Sequence, residues 1–103
     1  YYLAFLDAMN APEVLFIDTG EYNGKIGNPI MVEAIDNFQV KDVRIEIFSK
    51  SGGLIEQGFA VQQKCTLYWK YKATKENPWV TGTRIVATAI DLPGNEQSME
   101  IFI

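Results

Sequence analysis

The sequence predicts an all-β sandwich of about seven short strands in two antiparallel sheets. Three observations lead there. Apolar and polar residues alternate over most of the chain, turn residues punctuate the alternating runs, and helical spacing is confined to residues 1–11. A small closed barrel is the rival that the same pattern allows. At 103 residues the chain has the size of one domain, long enough to bury a core of its own.

Residues 1–11 place Leu3, Leu6 and Met9 three apart, with Ala4 and Ala8 beside them. That spacing suits a short helix ended before Pro12, and it suits a linker equally well. The sandwich proper is therefore expected over residues 12–103. The run Val14-Leu15-Phe16-Ile17 closes at Asp18, Thr19 and Gly20, and a glycine-rich loop leads on to Asn28-Pro29. Ile30, Val32 and Ala34 then alternate with Met31, Glu33 and Ile35, up to Asp36-Asn37. Val43, Ile45 and Ile47 alternate with Arg44, Glu46 and Phe48 and stop at Ser51-Gly52-Gly53. Residues 54–60 read as a short edge strand interrupted by Gly58.

In the second half, Leu67, Trp69 and Tyr71 face one way and Tyr68, Lys70 and Lys72 the other. After a loop through Asn77-Pro78, Ile85, Ala87 and Ala89 alternate with Val86, Thr88 and Ile90, ending at Asp91. A turn at Pro93-Gly94-Asn95 opens the last strand, with Met99, Ile101 and Ile103 opposite Glu100 and Phe102. The tripeptide Ala-Ile-Asp closes two of these strands, at Asp36 and at Asp91. If those strands are central ones of opposite sheets, both carboxylates arrive at the same pole.

Composition narrows the function. A net charge of −4 argues against nucleic acid or an anionic membrane as partner, and no apolar run reaches the ~20 residues of a spanning helix. Lys64, Lys70, Lys72 and Lys75 are read as solvated edge protection. The single cysteine, Cys65, excludes an internal disulfide and reads as a small hydrophobe. With no histidine anywhere, the commonest general base and every Ser–His or Cys–His pairing are missing. Glu13, Asp18, Glu21 and Glu33 are scattered without the pairing that acid–base division of labour needs. Gly24-Lys25-Ile26-Gly27 lacks both the spacing and the following helix of a phosphate loop. The chain is expected not to be an enzyme.

Trp69-Lys70-Tyr71, Gly82-Thr83, the strand 85–90 and Asp91-Leu92-Pro93-Gly94-Asn95, in that order, resemble the late region of bacterial immunoglobulin-like domains. These modules (the Big type) occur in tandem in surface and secreted proteins. Residues 30–43 are similar to the second and third strands of the same family. The resemblance implies an immunoglobulin-like sandwich, an extracytoplasmic location and a non-catalytic spacer, display or adhesion role. Beginning at Tyr1 rather than Met, the chain reads as a processed or excised piece, with neighbouring domains or another protein as partners.

Two constellations are candidate sites. Asp36, Asp91 and Asn95 would meet at one pole, where oxygen ligands could hold Ca²⁺, the one cofactor considered. The competing reading makes Asp36 and Asp91 caps of their own turns. Among the aromatics, Trp69 and Tyr71 are expected in the core, whereas Trp79 and Tyr68 are candidates for binding a glycan or a protein. If Trp79 binds nothing, it should lid one end of the core. Tyr1, Tyr2, Phe5 and Leu6 make an apolar segment that either folds back on the sandwich or forms an interface.

Overall fold

A computed structural model describes residues 12–35, 40–64, 67–91 and 94–103, which form two four-stranded antiparallel sheets. The strands are β1 (Glu13–Asp18), β2 (Pro29–Ile35), β3 (Val40–Phe48), β4 (Leu54–Phe59), β5 (Val61–Gln62), β6 (Tyr68–Lys72), β7 (Arg84–Asp91) and β8 (Glu96–Phe102). Their order is β1-β2-β6-β5 in the first sheet and β4-β3-β7-β8 in the second. The predicted N-terminal helix or linker, and the interface assigned to its aromatics, lie outside the described residues.

The core follows from the period-2 patterning, because each strand hides one row of side chains. Ile30, Val32 and Ala34 on β2 are buried, as are Trp69 and Tyr71 on β6. From the second sheet come Val43, Ile45 and Ile47 of β3 and Ile85, Ala87 and Ala89 of β7. Register sets a large side chain beside a small one, Val43 opposite Ala89 and Ile45 opposite Ala87. β2 and β7, the two strands of the Ala-Ile-Asp echo, are internal strands of opposite sheets, as expected. Met99 and Ile101 of β8, an edge strand, and Ile103 just after it pack against the core.

Two expectations need correction, those on Leu67 and on the lysines, and β1 carries a bulge where its register with β2 shifts between Val14 and Phe16. Leu15 is the extra residue of that bulge, so Val14 and Ile17 turn inward while Leu15 and Phe16 face out. Leu67 stands just ahead of β6 and is half exposed, not on the inward row with Trp69. Lys70 is paired on both sides, with Met31 of β2 and Val61 of β5, so it does not protect an edge, whereas β5 does not reach as far as Lys72.

The expected edge strand over residues 54–60 serves both sheets. It pairs with β3 as far as Phe59, and then the Ala60 N–H donates to the Val43 carbonyl at 2.8 Å. The chain crosses there, and Val61 and Gln62 continue on the far side of β6. This crossing makes eight strands out of the seven anticipated. Gly58 does not interrupt the strand. A Cβ at that position would stand 2.9 Å from Cε1 and 3.2 Å from Oη of Tyr71, which reaches over from the other sheet. Gly58→Ala is therefore expected to cost about 1–3 kcal/mol by overpacking. At Gly53 an added Cβ meets nothing nearer than 3.6 Å, so Gly53→Ala should be close to neutral. Urea unfolding of the two variants checks the contrast.

Candidate functional site

The strand directions give the sandwich two poles. At the first, β1 begins, β2 ends beside it, β6 begins and β7 ends at Asp91. At the second, β3 turns into β4, β6 runs into the loop 73–83 and β8 finishes.

Asp91 and Asn95 meet at the first pole. Asp91 is fully buried, and its Oδ1 accepts from the Asn95 backbone N–H at 2.7 Å. Its Oδ2 accepts from Asn95 Nδ2 at 3.2 Å. Backbone bonds from Gly94 N–H to the Asp91 carbonyl and from Asp91 N–H to the Asn95 carbonyl, both 3.0 Å, complete the turn. Asn95 thus faces Asp91 with donors, where a cation would require its oxygen. This is the geometry of the turn cap. Asp36, the third candidate ligand, lies outside the described residues, and among the described residues no three acidic or thiol groups gather in a metal-binding cluster.

Tyr68 also stands at the first pole, on the outer face of β6. Register sets it beside Glu33, which in turn faces Phe16. The hydrogen bond to Glu33 and the negative charge there push the Tyr68 hydroxyl above its ordinary pKa. Phe16, Asp18, Met31, Glu33 and Tyr68 line a shallow hollow of about 290 Å³. Tyr68 is thus half exposed, with its hydroxyl engaged by a neighbour.

Trp79 lies at the second pole, so the two candidate aromatics cannot serve one surface together. Its loop is firmly built. The buried Asn77 donates its backbone N–H to Gly24 O at 2.7 Å and its Nδ2 to Thr83 Oγ1 at 2.8 Å. Gly24 adopts φ +82°, and a Cβ there would meet the Asn77 carbonyl oxygen at 2.1 Å, so glycine is required. Thr83 Oγ1 donates to the Trp79 carbonyl at 3.2 Å, and Thr83 N–H to Val80 O at 3.0 Å. On this fixed backbone the indole is 81% exposed. It therefore does not lid the core, and the buried residues at this pole are Tyr22, Asn77 and Thr83, joined by the Asn77 side chain.

Sequence reading missed Glu56, a buried carboxylate on β4. Its Oε1 accepts from Tyr71 Oη at 2.6 Å, Thr74 N–H at 2.9 Å and Thr74 Oγ1 at 3.0 Å, and its Oε2 from Lys75 N–H at 3.1 Å. The signal was parity: Glu56 and Gly58 are two apart on one strand, an acid on the inward row followed by a missing side chain. Burial pushes the Glu56 carboxyl upward, but the donors from Tyr71, Thr74 and Lys75 outweigh it and hold the group below its ordinary value. Burial, then the bond and charge of Glu56, push the Tyr71 hydroxyl up to about 12.

Linkage fixes the signs. A lowered carboxyl pKa gives stability that is full above the ordinary value of 4.5 and is lost as pH falls through the folded value. A raised phenol pKa gives stability that is full below 10.0 and is lost as pH rises toward about 12. Denaturant unfolding should find both limbs in the native protein. Glu56→Gln should flatten the acid limb, and Tyr71→Phe, leaving a buried carboxylate short of a donor, should cost about 1.5–3 kcal/mol. A native acid limb that Glu56→Gln does not change would assign the dependence elsewhere. Melting temperatures in excess calcium and in excess chelator should coincide, since Asp91 is already capped; a rise with calcium would make the first pole an ion site.

No helix among the described residues is long and apolar enough to cross a membrane. Compared with protein-family models, curated proteins and solved structures, the chain matches none, so its function is read from this geometry alone.

Proposed function

We propose that the chain is a non-catalytic, immunoglobulin-like module that spaces or presents its neighbours within a longer bacterial surface or secreted protein. The observation that carries this reading is the path of the chain. It enters β1 at the first pole and leaves β8 at the second, where Ile103 N–H donates to Thr83 O at 2.9 Å and Gly82 N–H to Ile103 O at 2.7 Å. Such a module joins its neighbours end to end. The seven residues of β8 alone set about 24 Å between the poles. The strand orders support the immunoglobulin-like part, since β1-β2-β6-β5 corresponds to strands A, B, E and D of that sandwich and β3-β7-β8 to C, F and G, with β4 as an added edge strand. The non-catalytic part is supported by Glu56 and Asp91, the buried carboxylates among the described residues, each committed to holding turns and loops.

A second reading, binding of a glycan or protein through loop aromatics, is favoured by the exposure of Trp79 on its fixed loop. Tyr68, with its hydroxyl held by Glu33, adds little to it. One exchange separates the two. Replacing residues 12–103 in the parent protein by an unrelated sandwich with ends at opposite poles should preserve the parent's activity if the module is a spacer. Loss of activity in the exchange, reproduced by Trp79→Ala alone, would overturn the spacer reading in favour of the binding one.

A further inference from the structure

We propose that Trp79 and Lys50 form a stacking site for an acidic sugar, a pyranose bearing a carboxylate or sulfate. This rests on the second reading above, that Trp79 is a contact residue, and it names the ligand. The indole borders an open depression of about 620 Å³ whose other lining residues are Ser49, Lys50, Ser51 and Thr81. Most of its surface is apolar, formed by the indole and the carbon atoms of these residues, and its polar share is small. A pyranose fits the asymmetry, because its C–H face is apolar and its rim carries hydroxyls.

Ser49 and Ser51 belong to the β3–β4 turn, closed by bonds from Ser49 N–H to Gly53 O at 2.8 Å and from Gly52 N–H to Ser49 O at 2.9 Å. Their hydroxyls stand 2.9 Å apart, so one donates to the other, and Ser49 Oγ also accepts from the Gly53 N–H at 3.2 Å, which leaves the Ser51 hydroxyl as the one open to a ligand. The stem of Lys50 crosses Gly82: its Cγ and Cδ lie 2.9 and 3.0 Å from where a Cβ on that glycine would sit. No ion pair among the described residues engages Lys50. A cation on a pinned stem beside an exposed ring selects a sugar that brings a negative charge.

The test titrates the native protein with hexagalacturonate, cellohexaose and hexaglutamate, by calorimetry and by tryptophan fluorescence. Trp69 is buried and supplies a constant background, so a blue shift and protection from acrylamide report Trp79. Hexagalacturonate should bind about tenfold more tightly than cellohexaose at low ionic strength, with the gap closing as salt is added. Lys50→Ala should abolish that preference while keeping the weaker binding of both sugars. Trp79→Ala should weaken hexagalacturonate about tenfold or more, and Trp79→Phe should restore part of it. Equal affinity for the acidic and neutral sugars would overturn the acidic class. Hexaglutamate binding as well as hexagalacturonate would overturn stacking in favour of charge alone. Silence from all three probes, with Trp79 still quenched by acrylamide, would overturn the sugar site. The broader contact reading would then stand or fall separately, on Trp79→Ala in the parent protein.

Discussion

The crossing between β4 and β5 sets the terms for the rest of the sandwich, and a single buried carboxylate holds it. From β4, just ahead of the crossing, Glu56 reaches the segment after β6, where the backbone N–H groups of Thr74 and Lys75 lie beyond the ladder of that sheet. Glu56 supplies acceptors to both, and it takes the Tyr71 hydroxyl as well. Four donors converge on one carboxylate, enough to offset its desolvation and keep it ionised below its ordinary pKa. The same bond presses the Tyr71 ring against β4, and only a residue without Cβ fits there, hence Gly58. Acid, phenol and glycine are one device. The opposite side is closed by analogous means, for the Val14 N–H of edge strand β1 donates to Oε1 of Gln97 on edge strand β8 at 2.8 Å. Side chains thus join the two sheets where backbone pairing cannot.

How much of this was legible follows from what a sequence pattern encodes. Alternation reports which face of a strand is buried, and it placed Ile30, Val32, Ala34, Val43, Ile45, Ile47, Ile85, Ala87 and Ala89 in the core. It fails where strand geometry breaks its own period. The bulge at Leu15 and the position of Leu67 outside β6 have no mark in the residue types, since Leu suits either face. The crossing after Phe59 was hidden for a different reason. Nothing local distinguishes a strand that changes sheets from one that stops, and Gly58 has the same appearance in both. Glu56 was passed over because an acid on a short edge strand ordinarily faces water.

The candidate sites divide along the same line. Asp91 was visible because a carboxylate before Pro-Gly-Asn has a local job, and its two oxygens do that job. Trp79 was visible as an anomaly, an indole after Asn77-Pro78 in a loop, but its environment was not. Asn77 and Thr83 carry the weight of that loop, and each bonds a residue distant in sequence or one whose role depends on the whole pole. Tyr68 and Trp79, eleven residues apart, were alike as candidates by composition, and topology sets them at opposite poles, since β6 runs its length between them.

A rigid loop under an exposed indole is a combination that stability alone does not favour. Ordering the backbone of residues 77–83 costs on the order of 1–2 kcal/mol per residue, normally offset by burying the side chains that the loop carries. Here Asn77 and Thr83 go in, and Trp79, the largest side chain of the segment, stays out. If folding were the only constraint, a small polar residue would leave less apolar surface in water. The same pole keeps Ser49, Ser51 and Thr81 at the rim and lays the Lys50 stem across Gly82, in a left-handed conformation at φ +86° that suits glycine and few other residues. Fixed backbone, exposed ring and the Lys50 stem across Gly82 are what the proposed site would present before a ligand arrived, and such an arrangement lowers the entropic cost of binding.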